Sequence, residues 1–161
     1  MPRWWGNSRP ARSARTAGAQ DARALALGLA GLAPLQTVDP MAHGLVLEPG
    51  EVAYRILTAW VSHRDVGRWT RPVQSRVVVT GRRLIVGMPL GSVTSLWWRS
   101  LVGFHPDLSQ SSVVLDYGDG YPRSMSGPEV PSLVVVGVVA LYGVTALAEH
   151  AALEPLRDPV A

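Results

Sequence analysis

Two residue types with reactive side chains are missing from this sequence of 161 residues. There is no cysteine, which excludes disulfide scaffolds, thiolate nucleophiles, zinc fingers and iron–sulfur sites. Lysine is also missing, because all 15 basic residues are arginine. A P-loop lysine, Schiff-base chemistry and Ser–Lys dyads are therefore excluded. Only 17% of the residues are charged, fewer than the roughly 25% of an average soluble domain.

The chain is rich in apolar residues, which make up 47% of it, and its mean hydropathy is +0.15. A chain of this length and content can bury the core of one domain. Its charge is uneven, since residues 1–24 hold five arginines and one acid, whereas the rest holds ten arginines and eleven acids. We expect residues 1–40 to form a basic, Ala/Arg-rich and disordered leader before a domain at 41–161. A secretory signal and a translation start at Met41 are alternatives for this leader.

Residues 45–128 have the pattern of short strands separated by turns. Residues 51–63 are rich in β-branched and aromatic side chains, and residues 73–79 form a second strand with three consecutive valines. The segment 64–72 between them is predicted to be a polar loop. Tight hairpin turns are predicted at residues 80–82 and at Asp119-Gly120.

Residues 130–148 are nineteen consecutive residues without a charge. Pro131 suits the first turn of a helix and Pro155 ends one, so we expect a helix over about 130–150 that covers one side of the sheet. Nineteen residues also come close to the ~20 that cross a bilayer. The alternative is therefore a tail-anchored membrane protein with residues 130–148 as the span.

Three segments carry a family resemblance. The chain has an L-x-P-G-E segment at residues 47–51, a V-x-x-T-x-x-R-L hairpin at 77–84 and a tryptophan-rich strand at 97–104. In this order they resemble bacterial PH-like and GRAM-like domains of an actinobacterial type. The resemblance implies an α+β fold, a PH-like bent antiparallel β-barrel or sandwich of about seven strands, capped by one long C-terminal helix.

The resemblance also implies a function. Such domains are binding modules rather than enzymes, and their ligands are protein partners or anionic lipid headgroups. We therefore expect a cytoplasmic protein, membrane-associated if its ligand is a lipid. We expect no cofactor, no metal site and no specific binding of nucleic acid.

Seven side chains are the candidates for binding. Arginine suits an anionic group because its guanidinium donates two parallel hydrogen bonds, and an exposed tryptophan suits a partner or a membrane interface. The candidates for anion or lipid binding are Arg64, Arg68, Arg71 and Arg76, and those for partner binding are Trp69, Trp97 and Arg99.

Overall fold

The computed structural model describes residues 12–158, so the first eleven residues of the expected leader lie outside the described residues. The strands are β1 (Ala53–Asp65), β2 (Arg68–Trp69), β3 (Val73–Thr80), β4 (Arg83–Gly87), β5 (Val93–Trp97), β6 (Gly103–Asp107), β7 (Ser112–Asp116) and β8 (Arg123–Ser126). The α-helices are α1 (Arg12–Leu29), α2 (Val130–Tyr142), α3 (Ala146–Glu149) and α4 (Glu154–Arg157). Short 3₁₀ turns lie at Met41–His43, Trp98–Ser100 and Ala151–Leu153.

The strands form one antiparallel sheet in the order β5-β4-β3-β1-β8-β7-β6, and β2 pairs with the end of β1. The long strand β1 joins the two halves of the sheet, because it pairs with β3 from Ala53 to Val61 and with β8 from Trp60 to His63. This arrangement, followed by helix α2, confirms the predicted PH-like fold class. The expected barrel is wrong in one respect, since β5 and β6 are the two edges of an open sheet.

Helix α2 carries apolar side chains around nearly its whole circumference, and the sheet and helix α1 cover it on two sides. Its residues from Val130 to Val138 are all buried. Six of them share one core cluster with the inner face of the sheet and with helix α1. The sheet contributes Leu57, Ala59, Val77, Val79, Leu84, Val86, Leu96, Val113, Leu115 and Met125 to this cluster.

The apolar segment 130–148 is not one helix. Helix α2 ends at Tyr142, where Gly143 adopts a φ of 89°, and α3 begins after a short break. Thirteen residues at ~1.5 Å each make a helix much shorter than the ~30 Å of bilayer hydrocarbon. Between residues 12 and 158, no helix has both the length and the hydropathy needed to cross a membrane.

The expectation of a disordered leader is wrong for residues 12–29, which form helix α1. Gly18, Ala22, Leu25 and Gly28 recur at helical spacing, and all four are buried. The arginines of this segment suggested disorder, but Gly18, Ala22 and Leu25 form a buried stripe through which α1 packs on α2 and the residues just before it, and Gly28 packs on Leu35.

The predicted polar loop 64–72 is in part a β-hairpin. Strand β1 continues to Asp65 and turns through Val66 and Gly67, whose φ angles are 46° and 76°. Two consecutive positive φ angles define the two-residue turn that matches the twist of a hairpin. Strand β2 then returns, with Arg64 opposite Trp69 and Asp65 opposite Arg68.

Candidate functional site

One end of the sheet is left uncovered, and we call it the open end. It is the end at which β1 finishes, because Val61 pairs with Val73 at the start of β3 and His63 pairs with Arg123 at the start of β8. Three connections project here: the β1–β2 hairpin at 64–69, the β4–β5 loop at 88–92 and the β7–β8 loop at 117–122. Helix α2 covers the core farther along the sheet, so nothing in the described chain closes this end.

A pocket of about 490 Å³ enters the sheet at the open end. Its walls are apolar side chains from the inner face of the strands, and its mouth carries polar side chains. The apolar walls are Val61, Val73, Val86, Met88 and Leu96. At the mouth lie His63, Thr70, Arg71, Tyr121 and Arg123.

The β1–β2 hairpin is anchored at its base and free at its tip. The backbone nitrogen of Thr70 donates to the carbonyl oxygen of His63 at 2.8 Å, and the backbone nitrogen of His63 donates to Oγ1 of Thr70 at 3.0 Å. The ring of His63 also meets the edge of Tyr121 at a centroid distance of 6.5 Å. These contacts hold the hairpin against the β7–β8 loop.

Three of the four predicted anion-binding arginines lie at the open end. Arg64 and Arg68 are exposed on the hairpin, and Arg71 is at the mouth of the pocket. Asp65 lies opposite Arg68 in the hairpin register. Within residues 12–158, however, none of these three guanidinium groups forms an ion pair. Their charges are therefore available to a ligand.

Large apolar side chains are exposed beside these arginines. Val66 at the tip of the hairpin is 95% exposed and Leu90 in the β4–β5 loop is 99% exposed. Trp69 and Tyr121 are each about half exposed on their own connections. Exposed apolar residues that converge on one end of a domain, among cations, are typical of an interaction surface.

Arg76 lies on the other face of the sheet. Its neighbours Ser75 and Val77 are buried toward the core, so alternation along the strand places Arg76 on the outer face. There it lines a different pocket, of about 380 Å³, with Val78 and Ile85. The structure therefore does not bring Arg76 together with the other three arginines.

Trp97 and Arg99 lie at the opposite end of the sheet from the hairpin. The guanidinium groups of Arg83 and Arg99 both lie over the Trp97 ring, at 4.7 Å and 4.9 Å from its centroid. Its neighbour Trp98 is 2% exposed and its indole nitrogen donates to the carbonyl oxygen of Thr80. One tryptophan of this pair thus faces the core and the other does not.

The β7–β8 loop has its own electrostatic arrangement. The backbone nitrogen of Tyr121 donates to Asp119, and this hydrogen bond, together with the Arg123 guanidinium at 2.9 Å, lowers the pKa of that carboxyl. Burial raises the pKa of Tyr117 to about 12, against the opposing charge of Arg123. The charge of Arg123 is thus largely balanced locally. Arg71 has no such partner among residues 12–158, so its charge at the pocket mouth is uncompensated there.

Sequence reasoning missed the residues that other connections bring to this site, above all Leu90, Tyr121 and Arg123. No local pattern marks them, because only the pairing of β8 with β1 places the β7–β8 loop beside the first hairpin. In the part of the chain that the structure describes, no cluster of three or more histidine or acidic side chains is arranged to hold a metal ion.

Comparisons with known proteins add a limited result. No model of a known protein family matches the sequence, and no curated protein matches it. Among solved structures, the chain is similar to a Vps36 N-terminal PH domain, with 15% sequence identity and a TM-score of 0.43 over 70% of this chain and 94% of that chain. The order of the strands and the position of helix α2 define the PH-like fold, and the bacterial and GRAM-like part of the resemblance stays a prediction.

Proposed function

We propose that this protein is a non-enzymatic binding module whose open end docks on an anionic membrane surface. The observation that carries the proposal is the combination, at the same end of the sheet, of exposed apolar side chains and three arginines that form no ion pair within the described chain. Arginines attract anionic headgroups, at ~1 kcal/mol for each basic residue near the surface. Apolar tips and amphipathic rings such as that of Trp69 suit the boundary between headgroups and acyl chains.

The residues that would contact the membrane include Arg64, Arg68, Arg71 and Trp69. The predicted candidates Arg76, Trp97 and Arg99 would not contact it. Those three residues lie on the outer face or at the far end of the sheet, where they cannot touch the same flat surface as the hairpin. A protein partner is the other ligand class that such a module takes, and it is an outcome of the test below.

The test is cosedimentation of the full chain with vesicles of phosphatidylcholine, with and without phosphatidylserine. We expect binding that requires the anionic lipid and weakens with added salt. The variant Arg64→Ala with Arg68→Ala should lose roughly 30-fold in affinity, from two headgroup contacts of about 1 kcal/mol each. Arg76→Ala with Arg99→Ala is the matched control, since it removes the same charge from exposed positions elsewhere and should bind almost as the wild type does.

Three results would overturn the proposal. Unchanged binding after removal of Arg64 and Arg68 would exclude the hairpin as the contact surface. Equal losses in both double variants would show that net charge, rather than this surface, drives the association. If the wild type fails to bind either vesicle, a protein partner becomes the better explanation of the exposed Val66 and Leu90 side chains.

A further inference from the structure

We propose that the pocket at the open end holds the acyl chain of a single-chain anionic amphiphile, such as a fatty acid. The proposal deepens the proposed function, because it assigns a ligand to the interior of the same end. It rests on the shape and chemistry of the pocket, whereas membrane docking rests on the loops outside it.

The interior of the pocket is suited to hydrocarbon. Val86 and Leu96 are nearly fully buried at its floor and continue directly into the core. Val61 and Val73 are half-buried along its walls, so apolar surface that faces inward is left without a neighbour among residues 12–158. A volume of about 490 Å³ falls in the ~300–1,000 Å³ range of small-molecule sites, which are mostly apolar with a few polar groups.

The mouth of the pocket is suited to an anion. Arg71 lines it and has no ion pair within residues 12–158. Thr70 and Tyr121 add hydroxyl groups at the same rim, and His63 lies between them. An apolar interior below a single uncompensated guanidinium complements a molecule with one hydrocarbon chain and one negative charge.

Thr94 provides a way to block the pocket without touching the core. It lies on edge strand β5 opposite Val86, it lines the pocket, and it is exposed. A tryptophan at this position would extend into the space assigned to the acyl chain. Thr94→Val keeps the size and β-branching of the residue, so it is the matched control.

The experiment is a fluorescence titration of the full-length protein with cis-parinaric acid, with decanoate, dodecanoate and dodecanol as competitors. We expect saturable binding of one probe per chain and tighter binding of dodecanoate than of decanoate, by roughly tenfold for the two added methylenes. Thr94→Trp should weaken binding at least about tenfold, and Thr94→Val should leave it unchanged. Arg71→Gln, an exposed change that leaves the core intact, should remove the preference for dodecanoate over dodecanol.

The outcomes separate this proposal from the membrane proposal. Absence of saturable binding by the wild type, or equal binding by Thr94→Trp in a protein that melts like the wild type, would overturn the assignment of the pocket. Vesicle cosedimentation of Thr94→Trp should not fall below that of the wild type, because the hairpin is untouched. Fatty-acid binding without any vesicle binding would support the pocket and contradict membrane docking.

Discussion

Gly18 of helix α1 lies directly against the backbone carbonyl oxygen of Pro128, two residues before helix α2 begins. A Cβ atom on residue 18 would overlap that oxygen, and because the obstacle is backbone it cannot swing aside. On the next turn of α1, Asp21 accepts a hydrogen bond from Ser132 at 2.8 Å and pairs with Arg55 at 2.9 Å. The close approach thus fastens α1 to both α2 and the sheet.

We predict that Gly18→Ala destabilises the protein by about 1–3 kcal/mol, through overpacking at this contact. The sign of this change in unfolding free energy tests the contact, because a glycine-to-alanine change at an exposed helix position stabilises a protein by ~1 kcal/mol. Ala17→Gly at the adjacent exposed position is the control, and it should lose only that propensity. Urea unfolding measures both, and a stabilised Gly18→Ala protein would mean that α1 does not dock as described.

Glu51, the last residue of the L-x-P-G-E segment, connects that segment to the β3–β4 hairpin. Its buried carboxylate accepts from Oγ1 of Thr80 at 2.7 Å and from Nε of Arg83 at 2.9 Å. We predict that Glu51→Gln costs about 2–4 kcal/mol of unfolding free energy, because Arg83 loses its charged partner. Glu48→Gln removes the exposed pair with Arg82 and should cost less than about 1 kcal/mol. Similar losses in the two variants by chemical denaturation would contradict the structural role of Glu51.

The stability should fall in acid. Burial by itself would raise the pKa of both Glu51 and Asp21. For Glu51 this effect is outweighed by hydrogen bonds from Arg83, the Glu48 amide and Thr80. For Asp21 it is outweighed by hydrogen bonds from Arg55 and Ser132. Both pKa values are therefore lowered. A carboxyl whose pKa is lower in the folded state than in the unfolded state stabilises the fold fully at a pH above its unfolded-state pKa. This contribution disappears as the pH falls through the folded-state pKa. Unfolding free energy should drop below about pH 4.5 for Glu51 and pH 3.8 for Asp21, the ordinary values.

The control for this acid dependence is Asp21→Asn combined with Glu51→Gln. This double variant should be less stable than the wild type at neutral pH, and its stability should change less than that of the wild type between pH 6 and 3. Urea titrations at each pH provide the comparison. A wild-type protein as stable at pH 3 as at pH 6 would show that neither carboxylate has the environment described.

Val66 holds a backbone conformation that β-branched residues avoid, with a φ of 46° at the tip of the hairpin. Asparagine before glycine is the preferred pair for this turn. We predict that Val66→Asn raises the unfolding free energy by about 1 kcal/mol and weakens binding to anionic vesicles severalfold, because the apolar tip is lost. Differential scanning calorimetry and cosedimentation test the two effects. A stabilised variant with undiminished vesicle binding would exclude Val66 from the docking surface.

The local elements were predictable because their signals are local. The turn between β3 and β4 follows from Thr80-Gly81-Arg82, whereas the predicted strand at 97–104 is interrupted by a 3₁₀ turn at Trp98–Ser100. The hairpin at Val66-Gly67 was missed, because valine is a poor marker of a turn that needs positive φ. The helical stripe from Gly18 to Gly28 was overlooked because small residues carry little hydropathy signal.

By itself, the sequence determined the class of the fold, the excluded chemistries and the clustering of arginines between residues 64 and 76. Periodicity and turn residues depend on a few neighbouring positions, and composition needs no structure, so these signals can be recognised from the sequence. Only the tertiary structure decided which of those arginines share a surface, since the face of β3 that carries Arg76 depends on where the core lies. It also decided that α2 is a core helix covered by α1, and that Arg71, Met88 and Tyr121, far apart in sequence, line one pocket, because strand pairing brings their segments together.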